Sequence, residues 1–87
     1  MKAKFENREG KLFIDGKEVL KEWESFSGWY WFGIEILEKD WNGAPLWFGY
    51  VQGFEDEYGE FSEAELNELK GKVWEIPSEN LHFSGRR

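Results

Sequence analysis

The sequence predicts an α+β fold: a curved, mainly antiparallel sheet of about five strands with one short helix packed on it. Asp15–Gly16 lies between two apolar-bearing runs and is typical of a two-residue hairpin, because a type I′ turn needs positive φ at both central positions. Gly28–Leu37 and Pro45–Phe54 are rich in aromatic and β-branched residues, which favour strands. Ser62–Glu65 has the Ser-x-x-Glu pattern of a helix capping box.

The first third of the chain is predicted to form short strands. Ala3–Arg8, Lys11–Ile14 and Lys17–Leu20 each carry apolar residues, and Glu9–Gly10 separates the first two. Gly and Asp mark the ends of these runs, as they do in tight turns. Lys21–Ser27 is polar, with two aromatic residues embedded in it, and is predicted to be a loop or a single helical turn.

The two long aromatic segments are predicted to form a hairpin joined by Glu38–Ala44, which contains Asn42–Gly43. Side chains alternate between the faces of a strand. One face is therefore expected to carry Tyr30, Phe32, Ile34, Ile36, Leu46, Phe48, Tyr50, Gln52 and Phe54. The other is expected to carry Trp29, Trp31, Glu35 and Trp47. Glycines within these strands, Gly33, Gly49 and Gly53, indicate bulges or the close approach of another group.

The helix is predicted to run from about Glu63 to Lys70, with Ser62 as its N-cap. Phe61 and Leu66 match a hydrophobic staple, and Gly71 fits the left-handed position that follows a helix. Leu66 and Leu69 are the side chains expected to face the core.

A last strand, Val73–Ile76, is expected before Pro77, and Leu81–Phe83 forms an apolar tail. The helix is too short to cover both faces of the sheet. The face with the Trp residues therefore needs cover from the N-terminal strands, a second chain or a ligand.

Composition and charge restrict the classes of function. The 87-residue chain has 18 acidic and 11 basic side chains, no Cys and one His, which excludes disulfides and Cys nucleophiles. Its net charge of −7 is a poor match for phosphate backbones, so we expect no direct nucleic-acid binding. No apolar run reaches the roughly 18 residues of a membrane span, and no leader opens the chain. We expect one cytoplasmic domain over residues 1–87. The excess of Lys and Glu resembles thermophilic proteins.

Part of the C-terminal half resembles a small domain family of unknown function carried on bacterial plasmids and other mobile elements. The matching residues are Phe48–Gly49, Gly53, Glu57–Gly59, Phe61–Leu66, Leu69, Ile76–Pro77, Glu79 and Leu81–Phe83. The family has no assigned reaction, cofactor or catalytic residue. The resemblance implies a β-rich fold with one helix.

Candidate catalytic and metal-binding residues are few. Glu55–Glu57 and Glu60 form the densest carboxylate cluster, but they lack the spacing of a calcium loop and are interpreted as a solvated loop. Glu35 is the best candidate for a carboxyl group with a raised pKa, with a cross-strand ion pair as the alternative. His82 has no recognisable nucleophile partner and is interpreted as a packing residue. We expect no metal, no cofactor and no enzyme activity.

The aromatic residues suggest a binding surface. Trp29, Trp31 and Trp47 would form a flat platform beside glycines, unless they are core residues. We expect a noncatalytic acidic interaction module, either protein-binding or self-associating, and one variant would occupy a partner's nucleic-acid site. The alternative is a small-molecule or oligosaccharide binder that uses this Trp face. Glu35 is included among the candidate binding residues because alternation places it on the same face.

Overall fold

The N-terminal strands form a small sheet of their own. The computed structural model describes residues 3–69 and 71–77. This first sheet has three antiparallel strands in chain order, β1 (Phe5–Arg8), β2 (Lys11–Ile14) and β3 (Lys17–Glu18). Both residues of Asp15–Gly16 have positive φ, 51° and 82°, and Glu9–Gly10 is similar. The predicted hairpin at Asp15–Gly16 is confirmed, because β2 and β3 pair on either side of it. A turn with two positive φ angles suits a hairpin, because its twist matches that of the flanking strands.

A second, antiparallel sheet contains the long hairpin. Its strands are β4 (Lys21–Ser25), β5 (Tyr30–Lys39), β6 (Pro45–Gln52), β7 (Asp56–Ser62) and β8 (Val73–Ile76). They lie in the order β7-β6-β5-β4-β8, with helix α1 (Glu63–Glu68) between β7 and β8 in the chain. The α+β class is confirmed. The described residues divide their strands between two sheets, where the sequence predicted one sheet of about five.

Two strands of the larger sheet were not predicted. The prediction of a loop or helical turn for Lys21–Ser27 is wrong, because β4 pairs with β5 on one side and β8 on the other. The interpretation of Glu55–Glu60 as a loop is also wrong for most of its length, because β7 pairs with β6 from Leu46↔Ser62 to Gln52↔Asp56. In both segments the hydrogen bonds to neighbouring strands outweigh the weak strand preference of Glu, Asp and Lys.

The pairing of β5 with β6 is irregular, and this changes which residues share a face. Gly33 lies opposite Gly49, but Glu35 lies opposite Phe48, so β5 contains an extra residue between these pairs. Glu35 is therefore on the face of Phe48, and the predicted position beside the Trp residues is wrong. Ile36 lies opposite Trp47 and is not on the predicted core face. The Ile36 side chain is 41% exposed. Simple alternation fails here because a bulge inverts the faces beyond it.

The first core lies where the small sheet packs on the larger one. Its buried members are Leu12, Ile14, Val19, Phe32 and Tyr50. The ring of Phe5 meets both Phe32 and Tyr50 edge-on, at centroid distances of 5.4 and 5.8 Å. The predicted face of Phe32 and Tyr50 is confirmed, and the N-terminal strands cover it.

The second core lies on the other face of the larger sheet, under the helix. Its buried members are Trp23, Trp47, Leu66 and Val73, with Phe61 packed at the edge. The indole Nε1 of Trp47 donates a hydrogen bond of 2.9 Å to Glu63 Oε1 at the start of α1. The helix therefore covers part of the Trp face. This corrects the expectation that this face needs cover from the N-terminal strands, a ligand or a second chain.

The helix begins as predicted and ends earlier. Ser62 has extended backbone angles, and its Oγ accepts a hydrogen bond of 3.3 Å from the backbone N–H of Glu65. The helix ends at Glu68, and the backbone N–H groups of Lys72 and Val73 both donate to the carbonyl of Leu69. Gly71 has the positive φ, 89°, expected after a helix. Leu69 is exposed and not in the core, contrary to expectation.

Replacing Ser62 with alanine is expected to lower the free energy of unfolding by about 1 kcal/mol, because an N-cap oxygen satisfies an otherwise unpaired backbone N–H. Ser62→Asp is the matched control, since aspartate is also a good N-cap and should preserve stability. Urea denaturation followed by tryptophan fluorescence measures both variants. Equal stability of Ser62→Ala and the wild type would show that the Ser62 hydroxyl does not stabilise the helix.

Some sequence predictions concern residues outside the described ranges. Leu81–Phe83 and His82 lie there, so their predicted packing stays a prediction. In the part of the chain that the structure describes, no helix has the length and apolar character needed to cross a membrane.

Candidate functional site

The predicted binding residues do not all come together. Trp29 and Trp31 are half-buried and lie side by side, with ring centroids 6.0 Å apart. Trp47 is only 3% exposed, and its ring packs edge-on against Trp23 at 5.9 Å. Glu35 is exposed on the opposite face of the sheet. Trp29 and Trp31 therefore remain available for binding, whereas Trp47 is a core residue and Glu35 is remote.

An exposed apolar surface surrounds Trp29 and Trp31. We define the aromatic patch as Phe26, Trp29, Trp31, Phe54 and Leu69. Phe54 is 94% exposed and Phe26 is 72% exposed, while Trp29 and Trp31 form a half-buried base. Single exposed apolar residues are common on protein surfaces, whereas contiguous exposed apolar patches mark interaction sites.

The turn between β4 and β5 positions two of these rings. The backbone N–H of Trp29 donates to Ser25 Oγ at 3.0 Å, and the backbone N–H of Ser25 donates to the Trp29 carbonyl at 2.9 Å. The backbone N–H of Phe26 donates to the Lys72 carbonyl at 3.0 Å, which ties the turn to the loop after the helix. The exposed Phe26 side chain therefore projects from a backbone that hydrogen bonds fix in place.

Glycine at position 53 permits the packing of Trp29. A Cβ atom built on Gly53 would lie 2.6 Å from Cε3 of Trp29, so the indole lies directly against this backbone. The ring of Phe54 then meets Trp29 edge-on, with centroids 5.1 Å apart and an interplanar angle of 80°. The prediction that strand glycines mark close approaches is confirmed here, and at Gly33, which faces the ring of Trp47.

Two grooves flank Trp29. The smaller, about 170 Å³, lies between Phe26, Trp31 and Leu69, with Lys72 at its edge. The larger, about 330 Å³, is the Trp29 groove. It is lined by Trp29, Val51, Phe54, Glu55, Glu57, Tyr58, Gly59 and Glu60. One groove is thus mostly apolar, and the other joins aromatic rings to carboxylates.

The charge around the patch is negative on the side of β7. Glu55, Glu57 and Glu60 are exposed, and no Lys or Arg of the described residues lies within ion-pair distance of them. Within residues 3–69 and 71–77, no group of three potential ligands has a metal-binding arrangement. The absence of a metal requirement stays a prediction.

A buried carboxyl group lies on the other face of the sheet. Glu22 sits opposite Phe32 and Ile76 and is fully buried, and neither of its carboxyl oxygens has a hydrogen-bond partner in the described structure. Burial, reinforced by the negative charge of Glu24, raises the pKa of Glu22 to about 8. A raised pKa is typical of catalytic acids. Glu22 has no surface that a substrate could reach, so we do not assign it to the site.

The sequence interpretation missed Phe26, Phe54 and a further exposed ring. Trp41 is 93% exposed at the tip of the β5–β6 hairpin, where Asp40 Oδ1 accepts backbone hydrogen bonds of 2.9 Å from Asn42 and Ala44. Each of the three rings lies in a turn or just beyond a strand end. The face that alternation predicted for Phe54 is wrong, because β6 ends at Gln52 and the Phe54 ring packs on Trp29. A large aromatic residue beside turn residues was the available signal.

Comparison with family models, curated proteins and solved structures finds no match to this chain. The resemblance of the C-terminal half to a plasmid-borne family therefore stays a prediction.

Proposed function

We propose that this chain is a noncatalytic protein-binding module, and that the aromatic patch is its contact surface. The observation that carries the proposal is the exposure of Phe26 and Phe54 beside the half-buried pair Trp29 and Trp31. Aromatic residues supply large contact area and are enriched among the residues that dominate binding energy. The turn that carries Phe26 and Trp29 is held by backbone hydrogen bonds, so little order has to be gained on binding.

The charges favour a basic partner over a second copy of the chain. The net charge is −7, and Glu55 and Glu57 lie beside the patch. Two copies meeting at this surface would bring like charges together, which disfavours association. A basic partner would be attracted at long range, and this attraction would weaken as salt concentration rises. We therefore expect the isolated chain to sediment as a monomer.

An oligosaccharide is less well supported as the ligand. Sugars need polar groups beside the stacking rings to fix their hydroxyls. The hydroxyls that line the smaller groove, those of Ser25 and Ser27, bond to each other at 2.9 Å, and Ser25 Oγ also accepts from the backbone N–H of Trp29. These two hydroxyls are committed to holding the turn, and the carboxylates of the Trp29 groove attract a cation more strongly than a neutral sugar.

The test compares two sets of exposed rings. The wild type, a Phe26→Ala/Phe54→Ala double variant and a Trp41→Ala control are immobilised and exposed to extract of the natural host. Captured proteins are identified, purified and titrated against each variant by calorimetry. We expect the double variant to weaken binding of a basic partner by at least about tenfold and Trp41→Ala to leave it unchanged.

All three side chains are strongly exposed, so none of these substitutions should unfold the protein, and thermal denaturation checks this. Two results contradict the proposal. One is a purified partner whose affinity is insensitive to Phe26 and Phe54. The other is the loss of binding only in Trp41→Ala, which would place the contact on the hairpin tip.

A further inference from the structure

The Trp29 groove joins aromatic rings on one wall to carboxylates on the other. Trp29 and Phe54 form the aromatic wall, with the two rings in edge-to-face contact. Glu55 and Glu57 line the opposite side, whereas Glu60 borders the groove but lies opposite Phe48, on the other face of the sheet. The volume of about 330 Å³ is open to solvent and large enough for one long side chain. A face of an aromatic ring and a carboxylate both attract cations.

The register of the sheet places Val51 and Glu57, which line the groove, on the same face as Trp31. Trp31 lies opposite Val51, and Val51 lies opposite Glu57, so these three side chains share one face of three neighbouring strands. The next row is Gly33, Gly49 and Gly59. A Cβ atom built on Gly59 would meet nothing within 4 Å, so the floor of the groove is open at this point.

The same chemistry is already present within the described part of the chain. Lys21 Nζ lies 5.4 Å from the ring centroid of Trp23 and pairs with Glu63 at 2.8 Å and Glu75 at 3.6 Å. A cation there is held between an indole and two carboxylates. In the Trp29 groove the ring and the carboxylates are present, but no cation of the described residues pairs with those carboxylates.

We propose that the Trp29 groove receives an arginine side chain from the partner protein. A guanidinium group is planar and stacks on an aromatic face, and its five N–H donors can reach carboxylates at the same time. A lysine ammonium is more strongly hydrated and makes no planar contact with a ring. This inference rests on the proposed protein-binding function and assigns the side chain that the groove selects.

The test uses a small arginine probe and does not need the partner. N-acetyl-arginine amide is titrated at constant ionic strength, and the tryptophan indole N–H signals are followed by NMR, each assigned with a single Trp→Phe variant. We expect the Trp29 signal to shift and saturate, while the Trp41 signal stays unchanged. N-acetyl-citrulline amide, which has nearly the same shape without the charge, should produce no saturable shift.

A matched pair of variants tests the carboxylate wall. Glu57→Gln is expected to lower the affinity for the arginine probe by about fivefold, which is the effect of losing one partly exposed charge contact. Glu35→Gln removes the same charge from an exposed strand position on the other face and should leave the affinity unchanged. Both positions are exposed, so folding is retained, and circular dichroism verifies it.

Three outcomes would overturn the inference: an unshifted Trp29 signal, an equal shift with citrulline, or equal binding of N-acetyl-lysine amide. These failures are separable from failure of the proposed function. A partner that still needs Phe26 and Phe54 but is unaffected by Glu57→Gln would keep the patch as the contact surface and remove the arginine assignment alone.

Discussion

Replacing Phe32 with alanine is expected to lower the free energy of unfolding by about 3–5 kcal/mol, the largest loss of any substitution considered. Phe32 is fully buried between the two sheets, and its ring packs against Phe5, Tyr30 and Tyr50 at centroid distances of 5.4, 6.3 and 6.4 Å. Deleting the ring leaves a cavity that two sheets with fixed hydrogen bonding cannot close. Urea denaturation measures the loss.

Ile36→Ala is the matched control for Phe32→Ala. Simple alternation would place Ile36 in the same core row, whereas the bulged register places it opposite Trp47, where it is 41% exposed. We expect its loss to be about 1 kcal/mol or less. Equal losses for the two variants would contradict the bulge and restore simple alternation along β5.

The second large effect is on the pH dependence of stability. Burial, with the negative charge of Glu24, raises the pKa of Glu22 to about 8 from its ordinary value of 4.5. The folded state therefore keeps this proton in a range where the unfolded chain has released it. The stabilising contribution is complete below pH 4.5 and is lost as the pH rises towards 8. We expect the wild type to lose roughly 4–5 kcal/mol across this window on account of Glu22.

Glu22→Gln should remove this slope, because glutamine does not ionise and keeps nearly the same shape. The informative quantity is the difference in unfolding free energy between pH 5 and pH 8, measured by chemical denaturation. Glu35→Gln, at an exposed position, should retain the slope of the wild type. If Glu22→Gln also retains the pH dependence of stability, the Glu22 carboxyl group is not the cause of that dependence.

Features decided by local chemistry could be predicted from the sequence. The Asp15–Gly16 turn depends on the backbone freedom of its own two residues, and the start of α1 depends on Ser62 and the backbone of Glu65. By contrast, β4 and β7 exist because neighbouring strands supply their hydrogen bonds, and their own residue types argue against strands.

Glycines within the strands were the sequence signal for the bulge in β5, but alternation of side chains does not take them into account. A Cβ atom at Gly49 would collide with the backbone of Phe32, so glycine is required where the strands come unusually close. The sequence therefore indicated that an irregularity exists near these glycines, but not which strand holds the extra residue. Because the extra residue is in β5, Glu35 and Ile36 each lie on the face opposite to the one that alternation predicted.

The candidate site could be predicted in part. Alternation correctly grouped Trp29 and Trp31, which the structure places side by side. It could not separate them from Trp47, because that depends on where the helix crosses the sheet. Phe26 could not be assigned a face, since it lies outside the regular strands, and alternation placed Phe54 on the wrong face because β6 ends at Gln52.

The pairing of β4 with β8 has a consequence for how the chain folds. Glu22 lies opposite Ile76, so the whole of β5, β6, β7 and α1 separates these partners in the chain. Contacts between distant segments form slowly, because the intervening chain must be ordered first. During synthesis the N-terminal hairpins can form early, but the five-stranded sheet cannot be completed until β8 has left the ribosome. Until then the edge of β4 that pairs with β8 has no partner strand, and an unpaired strand edge favours misassociation.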